Sequence, residues 1–279
     1  MNILDQMLSR YSISNRRQKL DALREIVQQI SLAGLADAGF FEKAAFYGGT
    51  CLRIFHGLPR FSEDMDFSLL NPDPGFKLES YFGGIHEAFR QVGIQVSISK
   101  KNKSHVTAIQ SAFLKSETIQ YDLKLEPGRS IKIKIEVDTT PPLMFSTEYR
   151  ELELPRSFSV RCFTLPCLFA GKLHALIYRA WAHRVKGRDW YDFAWYVKRR
   201  IPLDYRHFVE RVLNTKQARH EAMTVTSMRD ALRKKIQSVD IREVIYDVEP
   251  FVEDDSELNI WDEAYFISLA EQMLIDDGA

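Results

Sequence analysis

The sequence has few cysteines, no net charge and no long apolar run, and each absence excludes a class of protein. Its three cysteines form no Cys-x-x-Cys pair, which indicates a reduced protein without a disulfide framework or structural zinc. The 38 basic and 38 acidic residues balance, which argues against a uniformly basic surface but permits a local basic groove. We find neither a signal peptide nor a membrane span, so we expect a cytoplasmic protein without a membrane partner.

The chain changes character near residue 165. Before this point several segments alternate apolar and polar residues, as half-buried strands do, and after it apolar residues recur at helical spacing. We therefore predict an α+β fold, a mixed sheet with flanking helices and a C-terminal helical half. The predicted units are a core with an N-terminal helix at 1–165 and a helical domain at 166–279 that completes the active site. The predicted strands are 44–47, 64–70, 94–98, 105–115, 118–126, 131–138, 149–154 and 157–163. The predicted helices are 16–38, 50–56, 76–92, 167–184, 204–213, 217–235 and 258–275. A further helix is predicted to begin with the segment 186–193.

A Gly48-Gly49-Thr50 turn follows the first strand and leads into a short helix. Glycines leave the backbone N–H groups at a helix N-terminus accessible, and such groups bind anions. An ordinary tight turn is the alternative interpretation of a glycine pair. The two aspartates that follow favour the first interpretation, a cradle for phosphate.

Asp64 and Asp66 stand at the start of the second strand. Side chains on a strand alternate, so we expect both carboxylates on one face and Met65 and Phe67 in the core. Two adjacent carboxylates repel each other unless a positive charge lies between them. Hard divalent cations take carboxylate oxygens and then bind substrate phosphates, so the pair predicts a metal site.

A third carboxylate is expected from a neighbouring strand. In the segment 131–138 the apolar residues face the core, and the charged residues share the other face. Glu136 is our first choice for the third metal ligand and Asp138 the second. Lys132 and Lys134 lie on the same face. They are explained equally well as part of the site and as residues of a solvated sheet face.

The helical half contributes Lys172 and Asp189. Asp189 lies in the predicted first turn of a helix, where the helix dipole alone would favour an acid, although the charged and aromatic residues around it indicate a site. We predict that Gly187 ends the preceding helix. A straight helix over 167–184 would place Lys172 roughly 20 Å from that turn, so one site can use both residues only if the helices cross steeply. The basic run 199–235 could line a groove for a polyanion or form a solvated helix face.

Together these elements resemble the AbiEii/AbiGii toxin family of the nucleotidyltransferase superfamily, which has a DNA polymerase β-like fold and is related to the MenT-type toxins. The resemblance spans Gly48 to Asp192, most of the chain. One departure is Gly-Gly-Thr where the superfamily more often has Gly-Ser. The matching positions are Gly48-Gly49-Thr50, Leu52-Arg53, Arg60, Ser62-Glu63-Asp64-Met65-Asp66-Phe67, Lys172 and Lys186-Gly187-Arg188-Asp189-x-x-Asp192.

The resemblance implies a toxin that transfers a nucleoside monophosphate from an NTP to an RNA acceptor, the 3′ end of tRNA, with Mg²⁺ or Mn²⁺ and with a cognate antitoxin. The alternatives are a GTP- or NTP-binding regulator without transfer activity, and a protein-interaction scaffold. Arg53 and Arg60 are expected to contact phosphate or to form salt bridges. The other roles that the resemblance implies are triphosphate binding for Gly48, Gly49 and Thr50, the site's edge for Ser62, metal binding for Asp64 and Asp66 with Glu136 as the third carboxylate, phosphate contact for Lys172 and an essential acid for Asp189.

Overall fold

A mixed sheet organises the N-terminal half of the computed structural model, which describes residues 2–100, 118–126, 131–179, 185–214 and 223–278. Within these residues seven strands lie in the order β3-β4-β5-β2-β1-β7-β6. The pairs β2–β5 and β1–β7 are parallel and the others antiparallel. The strands are β1 Ala44–Tyr47, β2 Met65–Leu69, β3 Gln95–Lys100, β4 Thr118–Glu126, β5 Lys132–Asp138, β6 Thr147–Leu152 and β7 Phe158–Phe163.

Helices cover the sheet and form the C-terminal half. Four 3₁₀ turns also occur in the described chain, at Phe40–Glu42, Leu78–Tyr81, Glu249–Phe251 and Ser256–Ile260, and a short parallel pair joins β8 Leu203–Asp204 to β9 Ile275–Asp276. No helix in these ranges combines the length and apolar character that crossing a membrane would need. The helices are α1 Ile3–Leu8, α2 Arg16–Asp37, α3 Gly48–His56, α4 Phe82–Gln91, α5 Leu165–Tyr178, α6 Gly187–Lys198, α7 Tyr205–Asn214, α8 Val225–Ser238, α9 Ile241–Val248 and α10 Glu263–Gln272.

The central strands follow the predicted alternation. Met65 and Phe67 of β2 are fully buried, which confirms that the two aspartates lie on the opposite face. On β5 the side chains of Ile133, Ile135 and Val137 are likewise fully buried, and the charged residues between them are only partly buried. The α+β class is thus confirmed. The division at residue 165 coincides with the start of α5 and stays a prediction.

Several predicted helix bounds are wrong, and each has a local cause. Within the segment 76–92 a 3₁₀ turn occupies Leu78–Tyr81, so α4 starts only at Phe82. α5 ends at Tyr178, because Arg179 is extended. Asp262 accepts a hydrogen bond from the Tyr265 N–H, which caps α10 and separates it from the 3₁₀ turn before it.

Gly187 begins α6 and does not end the preceding helix. A Cβ at this position would overlap the Val244 carbonyl oxygen of α9, so glycine is needed for the close approach of α6 and α9. The short helix α9 and the β8–β9 pair are absent from the prediction. The first part of the helix predicted at 217–235 and the whole strand predicted at 105–115 lie outside the described residues, and α8 begins at Val225 behind a Thr224 capping box.

A glycine pair allows α2 and α4 to pack closely. A Cβ on Gly34 would lie 2.6 Å from the Gly84 carbonyl oxygen, and a Cβ on Gly84 would overlap the Gly34 carbonyl oxygen. Among the described residues, no atom outside the adjoining residues and turns of α4 itself lies within 4 Å of a Cβ on the neighbouring Gly83. Two glycines adjacent in sequence on α4 therefore have different roles.

Gly84→Ala is expected to lower the free energy of unfolding by about 1–3 kcal/mol, since the added methyl forces the two helix backbones apart. Gly83→Ala is the matched control. It should be neutral or stabilise by up to about 1 kcal/mol, because alanine has the higher helix propensity. Urea unfolding followed by circular dichroism measures both, and equal effects would contradict the proposed helix crossing.

Candidate active site

The glycine turn lies directly against the second strand. Gly48 has φ +83°, a left-handed conformation that favours glycine, and a Cβ there would overlap an Asp66 carboxylate oxygen. A Cβ on Gly49 would lie 2.9 Å from both the Arg60 guanidinium and the Ser62 hydroxyl oxygen. The start of α3, the Arg60–Ser62 loop and Asp66 therefore meet with no space for a side chain on either glycine.

Negative charge is concentrated where β2 meets β5. Asp66 lies opposite Glu136 in the parallel register of these strands. Burial, then the charges of Glu136 and Asp64, raise the pKa of Asp66 to about 7. Burial also raises the pKa of Asp64, where Lys134 opposes the effect and Glu136 adds to it. The carboxylates therefore repel one another across the strand pair.

These residues fit a divalent metal through the two aspartates. Their carboxylate oxygens are the donors that hard cations prefer, and a cation would relieve the repulsion that raises both pKa values. Glu136 lies beside Asp66, but its carboxylate is paired with Lys134 at 2.7 Å. Across the described ranges, no three His, Cys, Asp or Glu side chains are already grouped to hold a metal, so the three-carboxylate site is not assembled in this conformation.

The two helices of the C-terminal half bring Lys172 and Asp189 together. The Lys172 ammonium lies 3.3 Å from an Asp189 oxygen and 2.7 Å from an Asp192 oxygen. The separation of roughly 20 Å considered above does not occur, because α5 and α6 pack so that Lys172 faces the first turns of α6. One site can therefore use both residues.

Asp192 extends this group to the N-terminal half. Both of its oxygens accept hydrogen bonds of 2.6 Å from Arg60, and both side chains are almost completely buried. Although burial alone would raise the pKa of Asp192, Arg60 and Lys172 hold it below its ordinary value. We name the connected residues Arg60, Asp192, Lys172 and Asp189 the ion network.

Further cations surround Asp189. Its carboxylate lies 3.7 Å from the Arg179 guanidinium. Burial opposes ionisation, but the charges of Lys172, Lys186 and Arg179 hold the pKa of Asp189 below its ordinary value. Burial lowers the pKa of Lys186 to about 8. The charges of Lys186 and Lys172 also act on Asp66, where they offset part of the rise in its pKa. The ion network and the β2 carboxylates therefore form one electrostatic unit.

Three predicted substrate-binding side chains make contacts within the protein. The buried Thr50 hydroxyl donates to the Asp64 carbonyl oxygen, which leaves the Thr50 backbone N–H as its possible phosphate contact. Ser62 lies at the edge of the turn, against Gly49. Arg53 pairs with Glu25 at 2.9 Å and with Glu253 at 2.6 Å, which favours the salt-bridge alternative, and we leave it out of the site.

The sequence-based site set omitted Asp192, Lys186, Arg179 and Lys134. A signal existed for Asp192, because it follows Asp189 at i+3 and therefore shares its helix face. Lys186 belongs to the same Lys-Gly-Arg-Asp segment. No local pattern indicates Arg179, whose position depends on where α5 ends.

Comparisons with known proteins identify the family and the fold of the chain. The family model described as "Nucleotidyl transferase AbiEii toxin, Type IV TA system" matches residues 30–266. MenT4, a nucleotidyltransferase toxin from Mycobacterium tuberculosis H37Rv, superposes with a TM-score of 0.58 at 15% identity, covering 95% of this chain and 93% of that one. JHP933 from Helicobacter pylori gives a TM-score of 0.50 at 18% identity, covering 93% and 92%. At these identities the structures show a shared fold. No curated protein matches the sequence.

Asp192→Asn is expected to destabilise the protein by about 3–5 kcal/mol, because it leaves the buried Arg60 guanidinium without its counter-charge. Glu87→Gln is the control. Glu87 and Arg90 are also 2.6 Å apart but exposed, so little change is expected there. Urea unfolding measures both variants. Similar small losses would show that burial of the Arg60–Asp192 pair has no energetic consequence.

Asp66→Asn is expected to stabilise the metal-free protein, and to do so more in alkali. The Asp66 pKa rises from 3.8 to about 7 on folding, so the stability that its proton confers is complete below pH 3.8 and is lost as the pH rises through 7. Asparagine does not ionise and escapes this loss. Unfolding with a chelator present should give a gain larger by on the order of 2 kcal/mol at about pH 8.5 than at about pH 5.

The exposed Asp255 provides the control for this comparison. Asp255→Asn should leave the pH dependence of the free energy of unfolding unchanged. If Asp66→Asn behaves in the same way, the crowding of the carboxylates described above is wrong.

Proposed function

Because the chain belongs to the AbiEii family of nucleotidyltransferase toxins, we propose that it transfers a nucleoside monophosphate from an NTP to an RNA acceptor, the 3′ end of tRNA. The observation that carries the proposal is the convergence of the glycine turn, the Asp64–Asp66 pair and the ion network. A protein that only bound nucleotide would not need paired carboxylates beside a phosphate cradle.

The triphosphate is assigned to the start of α3. The backbone N–H groups of Gly48, Gly49 and Thr50 belong to the first turn of this helix, where the dipole and the unpaired donors favour an anion. Lys172 supplies a positive charge next to the same place. Asp189 acts as a positioning residue, since its ion pair with Lys172 orients the ammonium group.

Asp64 and Asp66 are assigned to a divalent cation, Mg²⁺ or Mn²⁺. Glu136 joins them as the third ligand if its ion pair with Lys134 opens, and Asp138, two residues further along β5, is the alternative. The cation would neutralise charge on the triphosphate and lower the pKa of the attacking hydroxyl. The acceptor hydroxyl gives up its proton to solvent and its oxygen forms a bond to the α-phosphorus, while the bond to the pyrophosphate oxygen breaks and pyrophosphate leaves.

The family description also supplies a biological setting. A type IV toxin–antitoxin system leads us to include a cognate antitoxin among the partners. We place the action in the cytoplasm, where both NTPs and RNA are found. The contacts that carry the chemistry do not depend on either assignment.

Incubation with each labelled NTP, Mg²⁺ and total RNA is expected to label RNA, and mass spectrometry of the labelled species names the nucleotide and the acceptor. Asp64→Asn and Asp66→Asn should each reduce transfer by about 10²–10³-fold or more, since each removes a charged metal ligand. Asp255→Asn should transfer like the wild type. Nucleotide binding without label in RNA would support the regulator alternative instead.

A further inference from the structure

A cavity of about 330 Å³ lies beside the ion network, between α5, α6, α8 and α9. Among the described residues that line it, the charged ones are Arg179, Lys186 and Lys235 against Asp189 and Glu243. This volume is at the lower end of the range for small-molecule sites. It suits a single nucleotide unit rather than a longer segment.

The remaining walls combine apolar surface with one hydroxyl. Leu176 and the indole of Trp190 are buried in the core below the cavity, and Val239 is partly buried. Ser238 is exposed at the end of α8. A planar base could pack on this apolar surface, while the cations stand where a phosphate would lie.

The cavity borders the ion network. Asp189 lies in its wall and is also a member of the ion network. From the glycine turn, contacts lead in order through Arg60, Asp192, Lys172 and Asp189. The cavity therefore lies at the Asp189 end of the ion network.

The geometry of in-line transfer relates the phosphate cradle to the place where the acceptor binds. The attacking hydroxyl and the leaving pyrophosphate must stand on opposite sides of the α-phosphorus. With the leaving phosphates on the glycine turn and the α-phosphate at Asp64 and Asp66, the attacking group approaches from the opposite side. The acceptor therefore needs a place apart from the glycine turn, and the cavity at Asp189, which no residue of that turn lines, is such a place.

The charges that line the cavity indicate which of two nucleotides it binds, the NTP or the terminal nucleotide of the RNA acceptor. An NTP carries its negative charge on the triphosphate, which the glycine turn would hold, so its base and sugar need no cations of their own. A terminal nucleotide of an RNA strand brings its own phosphodiester. Lys235, together with Arg179 and Lys186, meets that requirement.

We propose that this cavity seats the 3′-terminal nucleotide of a single-stranded RNA end, with its base on the Leu176–Val239 surface and its phosphate near Lys235. The inference rests on the proposed transfer to RNA and adds the place where the acceptor binds. It also explains one part of the basic run 199–235, which the transfer site itself does not use.

Two substitutions test the cavity and have matched neighbours on α8. Ser238→Trp fills its mouth, and Gln237→Trp places the same side chain on an exposed neighbour that does not line the cavity. Lys235→Gln removes a lining charge, and Lys234→Gln removes an exposed charge outside the cavity. The probe is a 5′-fluorescein RNA minihelix with a single-stranded 3′ end, and its binding is followed by anisotropy.

Ser238→Trp is expected to weaken binding of this RNA about tenfold, and to have no effect on a minihelix whose 3′ end is base-paired. Lys235→Gln should reduce the slope of log K against log salt by about 0.7–1, the loss of one phosphate contact. Neither should change the Kd of a non-hydrolysable NTP analogue with Mg²⁺, measured by calorimetry. Gln237→Trp and Lys234→Gln should bind both ligands like the wild type.

Two results would overturn the assignment. Weaker NTP binding with unchanged RNA binding would place the NTP nucleoside in the cavity, and unchanged binding of both would remove it from substrate recognition. The proposed function fails in a different way. In that case the wild-type protein transfers no label to any RNA, whatever the cavity variants bind.

Discussion

The buried ion pair between Arg60 and Asp192 is the interaction on which the arrangement of the site depends. It joins the loop before β2 to the middle of α6, and neither charge is accessible to water. A buried charge is tolerated only when it is paired and hydrogen-bonded, so the two segments cannot separate without a large cost. The glycine turn packs against one partner through Gly49, and Lys172 shares the other.

The Arg60–Asp192 pair also keeps the cations of the helical half next to the acids of the sheet. The sheet presents acids on one face, and the repulsion between Asp66 and Glu136 would make that face unfavourable on its own. The helical half places Lys172 and Lys186 where their fields act on Asp66. Charges fixed in this way need little reorganisation when a substrate phosphate or a cation arrives, which is the main electrostatic advantage of a preformed site.

The parts of the site that follow from local periodicity were predictable. Alternation over two residues placed Asp64 and Asp66 opposite Met65 and Phe67, and did the same for the charged residues of β5. The turn at Gly48 and Gly49 was recognisable because two glycines stand between a predicted strand and a predicted short helix. These features depend only on residues within a few positions of one another.

The unpredicted parts depend on residues far apart in sequence. The meeting of Lys172 with Asp189 required knowing that α5 stops at Tyr178, and no proline or glycine marks that end. The sequence indicates a helix stop at Gly187. In the structure glycine is needed there because α9, some 60 residues later, packs against this position. Arg53 gave no sign of its pairing with Glu25 and Glu253, because a sequence pattern does not show which acids a basic side chain will meet.

The two halves of the chain depend on each other at the proposed site. The acids and the phosphate cradle belong to the first half, but the groups that balance their charge belong to the second. Without α6, Arg60 would lose both of its short hydrogen bonds to Asp192, and Asp66 would lose the fields of Lys172 and Lys186. The sheet would then hold crowded carboxylates with less compensation, which favours protonated acids. The helical half is therefore a component of the proposed site and not an appended domain.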